Sequence, residues 1–173
     1  MKNLWKKTDL WYRENYPEII ETFNAGASDT DFEELKKNFG FELPKGFVDS
    51  YKVHNGQDTG AVFNSAIIDP DSEGLSSIQK IISTIKLYKK MNEDAFPVDP
   101  ANVAKGIKPV FWNEKWLPIM EDGAGNSYFL DLDPAEGGRI GQVVLRFYQN
   151  PSYELVDTSL KSWIKGFVDG NLD

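Results

Sequence analysis

Two segments near the C-terminus decide the fold class: residues 126–132 (NSYFLDL) and 141–148 (GQVVLRFY). In the first, Tyr128, Leu130 and Leu132 alternate with the side chains between them, and the second segment repeats this alternation. A period of two is typical of a strand with two different faces. Apolar runs at 108–112 and 116–120 also have strand length, and the glycines of 121–125 suit a hairpin loop. The last third of the chain therefore predicts a mostly antiparallel sheet.

Helices are predicted before and after this sheet in the sequence. Apolar side chains recur every three or four residues through much of 3–55 and again over 78–91. Thr30 and Glu33 have the spacing of a capping box, Gly40 suits the end of that helix, and Ser159 can cap a closing helix over about 159–169. With a sheet-rich part over about 107–157, this order predicts a single α+β domain spanning 1–173. The run 61–68 is compatible with one more strand, and 92–102 with an exposed loop.

The composition excludes several classes of site. The chain has 173 residues, no cysteine, one histidine and a formal net charge of −8. Without thiols it forms no disulfide, cysteine zinc site or iron–sulfur cluster, and one histidine builds no multi-histidine metal centre. The acidic balance, with no basic stripe, argues against a nucleic-acid partner, and pairs such as Lys89-Lys90 are interpreted as solvated helix faces. No apolar run has the length of a signal peptide or membrane span, so we expect no membrane partner and a cytoplasmic location.

Motifs that imitate metal or catalytic sites have simpler interpretations. Residues 69–74 (DPDSEG) begin like a calcium loop, but Lys80 stands where the final carboxylate ligand belongs. Asp131 and Asp133 share a strand end without a third ligand, and His54 has no serine elbow to serve. We therefore predict no catalytic residue, no metal and no cofactor. A hydrolase with an unrecognised carboxylate pair remains the enzymatic alternative.

The aromatic residues around the predicted sheet suggest a binding surface. Trp112 and Trp116 stand close in sequence to an acidic loop. One interpretation places these rings in the core. The other is a partly exposed tryptophan anchor with carboxylates at its rim, which is the composition of an interface hot spot. The candidate partner-binding residues are Trp112, Trp116, Glu121, Asp122, Asn126 and Asp131.

Taken together, the motifs resemble those of a known family. The N-terminal ones are Phe32-x-x-Leu-x-x-x-Phe-Gly, Leu43-Pro44 and YKVHNGQ at 51–57; the later ones are WLPI at 116–119, DGAGN at 122–126, LDL at 130–132 and GQVV at 141–144. Their order and spacing resemble the SUKH superfamily, and more closely its Smi/Knr-type cell-wall assembly regulators. The resemblance runs from about Trp5 to Phe167, and it implies an α+β fold with helices packed around the sheet.

The resemblance also implies a function without catalysis. Bacterial members of the superfamily are regarded as immunity proteins that bind and neutralise toxins, among them nucleases, whereas fungal members are linked to cell-wall synthesis and signalling. The leading prediction is a protein-binding module that neutralises a cognate toxin of a polymorphic toxin system, since an acidic surface suits a basic toxin. The alternative is a regulatory scaffold in cell-wall assembly. The oligomeric state stays open.

Overall fold

The computed structural model describes residues 1–58, 74–91, 97–121 and 125–172, and these form an α+β fold. The helices are α1 (Lys2–Asn15), α2 (Pro17–Ile20), α3 (Asp29–Phe39), α4 (Lys45–Tyr51), α5 (Ile78–Met91) and α6 (Leu160–Leu172), with a 3-10 turn at Pro100–Asn102. The strands are β1 (Phe23–Ala25), β2 (His54–Gln57), β3 (Trp116–Glu121), β4 (Ser127–Asp131), β5 (Gln142–Phe147) and β6 (Ser152–Asp157).

The principal sheet has four antiparallel strands in the order β3-β4-β5-β6. Strands that follow each other in the chain are neighbours in the sheet, so the connections between them alternate between its two ends. The β3–β4 loop and the β5–β6 turn lie together at one end, called here the hairpin end. The β4–β5 connection, residues 132–141, lies at the other end, called here the link end. A second, two-stranded sheet pairs β1 with β2.

One hydrophobic core joins the helices to the principal sheet. Helix α5 contacts β3 and α3, while α6 contacts β5, β6, α1 and α4. The buried face of α5 carries isoleucines at 78, 81, 82 and 85, which is the helical spacing expected from the sequence. The strands β3 and β4 are buried along nearly their whole length, because helices cover the sheet.

Local signals placed most helix ends correctly, with one correction. Gly40 ends α3 with φ at +87°, and Ser159 accepts a hydrogen bond from the Ser162 amide at the start of α6. The predicted capping box at Thr30 is wrong. Ser28 is the N-cap of α3, and its hydroxyl and backbone amide exchange hydrogen bonds with Asp31. This capping box was missed because the third residue of the helix is an aspartate, where glutamate is usual.

The strand predictions need more correction. Residues 108–112 form no strand, whereas β1, β2 and β6 went unpredicted. β1 and β2 are short and gain their stability from each other across a long stretch of sequence, so their own residues carry a weak signal. Within the loop expected over 92–102, Val98 is buried. The possible strand at 61–68 and most of the calcium-like loop lie outside the described residues. No helix in the described part of the chain is long and apolar enough to cross a membrane.

Candidate functional site

The two tryptophans of the predicted site lie in the core. Trp112 is 2% exposed and Trp116 is fully buried. The Trp112 ring packs against Tyr88, and the Trp116 ring packs against Phe129 and Tyr153. The expectation of a partly exposed tryptophan anchor is therefore wrong, because the sheet and α5 enclose both rings. The core interpretation of these residues is the correct one.

The other predicted site residues fall at opposite ends of the sheet. Glu121 ends β3 and Asn126 precedes β4, so both lie at the hairpin end, where they are partly exposed. Asp131 pairs in register with Trp116 at the link end and is fully buried. Asp122 lies outside the described residues. Of the six candidates, the structure thus brings together Glu121 and Asn126, and their partner-binding role stays a prediction.

Two clefts open at the hairpin end, one on each side of the β5–β6 turn. The first has a volume of about 530 Å³ and is lined by Asn126, Phe147, Gln149, Asn150 and Ser152. The second has a volume of about 490 Å³ and is lined by Pro97, Phe111, Tyr148, Gln149 and Pro151. Gln149 lines both clefts. The two clefts together are called here the hairpin-end groove.

Tyr148 is the exposed aromatic residue of the groove, with 48% of its surface accessible. The Asn126 side chain accepts a hydrogen bond from the Tyr148 backbone amide at 3.0 Å, which ties the two hairpins together. Gly125 has φ at +93°, in the left-handed region that favours glycine. A Cβ atom there would meet Tyr148 at 3.4 Å, an ordinary contact distance, so the backbone conformation is the reason for glycine at this position.

A buried arginine lies beneath the groove. Arg146 is 2% exposed, and its guanidinium donates to the Tyr88 hydroxyl at 2.7 Å and the Ser127 hydroxyl at 3.3 Å. The rings of Tyr88, Phe111 and Phe129 lie within 5.4 Å of the guanidinium carbon. Among the described residues no carboxylate forms an ion pair with it, so aromatic faces and hydroxyls stabilise the charge. Burial raises the pKa of Tyr88, and the positive charge of Arg146 partly opposes this rise.

Glu121 connects this arrangement to α5. Its carboxylate lies 3.4 Å from the Lys80 ammonium and accepts a hydrogen bond from the Tyr88 hydroxyl at 3.5 Å. The Glu121 side chain is therefore held at the edge of the hairpin end by two residues of α5. It contributes one fixed negative charge to that end of the sheet.

The link end contains a network of polar groups in which Asp131 and Gln142 are buried and Lys108 and Asp133 are partly exposed. The Asp131 carboxylate accepts hydrogen bonds from the Asp133 amide and from the Gln142 side chain, both at 2.9 Å. Gln142 also donates to the Gly106 carbonyl, and Lys108 pairs with Asp133 at 2.6 Å. Burial raises the pKa of Asp131, although these hydrogen bonds oppose the rise, whereas the hydrogen bond from Lys108 lowers the pKa of Asp133. The network satisfies these groups internally.

The single histidine lies away from the groove. His54 opens β2, where its Nε2 is 2.9 Å from an Asp9 carboxylate oxygen of α1 and its Nδ1 is 3.3 Å from the Asn24 carbonyl. Its ring also meets Trp5 edge to face. These contacts join α1 to the small sheet. Within the described ranges, no group of three histidine, cysteine or acidic residues has the geometry of a metal site.

The groove was not predicted from the sequence. Tyr148, Gln149 and Pro151 belong to a turn whose Gln-Asn-Pro sequence marks the end of β5. A turn signal locates a loop, but it does not show that two hairpins meet beside it. A tyrosine flanked by amide side chains combines a large apolar ring with hydrogen-bonding groups, which suits the binding of a polypeptide.

Comparison with known proteins identifies the family. The sequence profile of the SMI1/KNR4 family (SUKH-1) matches residues 26–166, from the residue after β1 into α6. The chain belongs to this family. The match includes both hairpins of the groove and the whole link end, and it confirms the resemblance found in the motifs.

Fungal proteins are among the relatives of this family member. The chain is 24% identical to a glucan synthesis regulatory protein of Neurospora crassa and 26% identical to the cell wall biosynthesis/cell cycle regulator smi1 of Schizosaccharomyces pombe, with 82% of this chain covered in each. It is 20% identical, over 81% of its length, to the cell wall assembly regulator SMI1 of Saccharomyces cerevisiae. The matches cover 32%, 30% and 34% of these relatives, so the chain spans about a third of their length.

Proposed function

We propose that this chain is a non-catalytic protein-binding domain that regulates cell-wall assembly, and that it binds its partner at the hairpin-end groove. The observation that carries the proposal is an exposed, positioned tyrosine beside two clefts at the hairpin end of the sheet. The names of the relatives, which are regulators of glucan synthesis and of cell-wall assembly, support the cell-wall role.

The groove has the composition of a contact surface for a polypeptide. Tyr148 offers a flat ring, and Asn126, Gln149 and Asn150 offer amide donors and acceptors around it. A stable protein contact buries about 1,600 Å² in total, which is more than the groove alone provides. The groove would therefore form the centre of a larger interface, with Glu121 at its rim.

Toxin neutralisation is the second candidate function. The net charge of −8 favours a basic partner, as many toxins that attack nucleic acids are expected to be. None of the relatives described above has a name of this kind, so immunity stays a prediction, as does the cytoplasmic location. Co-expression with the protein encoded by the adjacent gene tests it: a stable complex that protects the cell would favour immunity over the cell-wall role.

A matched pair of substitutions tests the proposed function in the organism that encodes the chain. Tyr148→Ser removes the exposed ring of the groove, and Ile140→Ser removes an exposed apolar side chain at the link end. We expect deletion of the gene to alter the glucan content of the wall, Tyr148→Ser to reproduce most of that change, and Ile140→Ser to leave the wall as in the wild type. The measurement is wall polysaccharide composition at equal protein levels.

Two results would contradict the proposal. An unchanged wall after deletion would exclude the cell-wall role. A normal wall with Tyr148→Ser, at wild-type abundance, would exclude the groove as the binding site while leaving the regulatory role open. A photo-reactive amino acid placed at position 148, with position 140 as the control, then identifies a direct partner by cross-linking.

A further inference from the structure

Helix α5 carries an unusual charge for this protein. Its sequence, IQKIISTIKLYKKM, contains four lysines and no acidic residue, in a chain with a net charge of −8. Each of the other described helices includes at least one aspartate or glutamate. Only Lys89 and Lys90 are adjacent in the sequence, but all four lysines belong to this one helix.

Two of the four lysines have partners within the protein. Lys80 lies 3.4 Å from Glu121, and Lys89 donates to the Asn38 carbonyl of α3 at 2.9 Å. Gln79 reaches Asp31 at the start of α3, so α3 and α5 lie side by side in the same direction. These contacts fix the orientation of α5 and account for Lys80 and Lys89.

Lys86, Leu87 and Lys90 form the outward side of the last two turns and are called here the lysine face. All three are exposed, and Leu87 has 52% of its surface accessible. In the described parts of the chain, neither Lys86 nor Lys90 forms an ion pair. Within the described residues, the lysine face therefore presents two positive charges that have no ion-pair partner, beside an apolar side chain.

The stability of the helix does not explain this arrangement. Lysines four residues apart repel each other along a helix, so Lys86 and Lys90 weaken α5. The helix dipole favours cations in the last turn, which accounts for Lys89 and Lys90, but Lys86 lies before that turn. An exposed leucine at position 87 also contributes nothing to the core. Negative charge from outside the protein would relieve the repulsion.

We propose that the lysine face binds an acidic polypeptide segment of a partner protein, with Leu87 contacting an apolar side chain of that segment. Helix α5 has 14 residues and is about 21 Å long, and its last two turns make up about half of that length. An extended segment of about four residues has the same length as these two turns. A membrane surface is the poorer fit, because interfacial helices expose a broad apolar face and this one exposes a single leucine. The inference is independent of the hairpin-end groove.

The test uses a short fluorescein-labelled peptide of repeated Glu-Glu-Leu units, with a Gln-Gln-Leu peptide as the uncharged control, and measures fluorescence anisotropy at low and moderate salt. The variant is Lys86→Glu/Lys90→Glu. Its matched control is Lys6→Glu/Lys7→Glu, which makes the same change of net charge on exposed positions of α1. Leu87→Ser tests the apolar contact separately.

We expect the acidic peptide to bind and the uncharged peptide not to bind. The α5 variant should lose affinity by about tenfold or more and the α1 variant by about twofold or less, since nearby charges act strongly and distant ones are screened. Leu87→Ser should weaken binding without changing its salt dependence. Failure of the wild type to bind at low salt, or an equal loss in both double variants, would overturn the proposal. Binding to phosphatidylserine vesicles without binding to the peptide would overturn it in favour of a membrane.

Discussion

The two ends of the four-stranded sheet each contain one buried charged side chain, but the groups that surround it differ. At the link end, Asp131 accepts hydrogen bonds from a backbone amide and from Gln142, and the loop closes over it. At the hairpin end, Arg146 is surrounded by aromatic rings and hydroxyls, and clefts open above it. The link end encloses its buried carboxylate, whereas the hairpin end leaves Tyr148 accessible.

This difference separates scaffold from binding surface. The polar groups of the link end form their hydrogen bonds within the protein, so a partner would add none there. We therefore interpret the link end as scaffold that holds the strands in register. A half-exposed ring beside clefts does gain from burial. Rigid sheets with functional loops at one end are a common way to position a binding surface. Three substitutions, ordered by their expected effect on the free energy of unfolding, test this comparison.

The largest effect is expected from Gly138→Ala at the link end. A Cβ atom at Gly138 would lie 2.2 Å from the Gly106 carbonyl oxygen, which also accepts the hydrogen bond from Gln142. We expect a loss of about 3 kcal/mol, because backbone must move. Gly141→Ala is the control: its φ of +85° is strained for alanine but its surroundings are open, so we expect about 1 kcal/mol. Urea unfolding measures both, and equal losses would show that the link end is not tightly closed.

A smaller, pH-dependent effect is expected at Asp131. Burial raises the pKa of Asp131, so the folded state holds its proton more tightly than the unfolded state. Stability from this group is present below the ordinary aspartate pKa and is lost as the pH rises through the raised pKa. The wild type should therefore lose stability relative to Asp131→Asn as the pH is raised from acid to neutral.

Asp133 provides the control with the opposite sign. The hydrogen bond from Lys108 lowers the pKa of Asp133, so its contribution is present above the ordinary pKa and is lost as the pH falls. The wild type should gain stability relative to Asp133→Asn over the same rise in pH. Thermal unfolding across the pH range measures both differences. Parallel profiles for the two variants would contradict the distinction between the buried and the paired carboxylate.

The smallest effect is expected from Arg146→Met at the hairpin end. Besides the two hydroxyls, Arg146 donates to the Phe111 carbonyl at 3.5 Å. Each of these acceptors keeps another partner: the Tyr88 and Ser127 hydroxyls lie 2.8 Å apart, and Tyr153 donates to the Phe111 carbonyl at 3.1 Å. Replacing the buried guanidinium with an apolar chain should cost about 1 kcal/mol or less.

The control for this substitution is Arg146→Ala, which leaves a cavity and should cost about 3 kcal/mol. Urea unfolding again gives both values. If methionine were as destabilising as alanine, the charge itself would be required, and the hairpin end would depend on its buried arginine as the link end depends on Asp131.

Much of the fold was predictable because its signals are local. The spacing of isoleucines in α5, the glycine after α3 and the serine before α6 each depend on neighbours within a few residues. The alternation in β4 and β5 predicted strands for the same reason. β6 was missed because its edge position leaves its pattern less regular: Leu155 is exposed although it follows a buried Tyr153 by two residues.

The candidate site was predictable only in part. Glu121 and Asn126 lie close together because they flank a hairpin loop, and their partner-binding role stays a prediction. Trp112 and Trp116 were proposed as partner-binding residues, with burial in the core as the other interpretation. Aromatic residues suit both cores and interfaces, so their burial depends on what packs over them. Tyr148 was not among the candidate residues, because local sequence does not show that its ring stays exposed.

Local patterns in the sequence were enough to predict the α+β class, the principal helices, the β3–β4 hairpin and the family, because periodicity, caps and turns act over a few residues. The packing of distant elements sets which aromatic rings are buried, where the clefts of the hairpin end lie and which lysines of α5 have a partner within the described residues. Those outcomes depend on contacts between residues far apart in the chain, such as Arg146 with Tyr88 and Asp31 with Gln79. Local sequence cannot encode such contacts, since each depends on how separate elements pack.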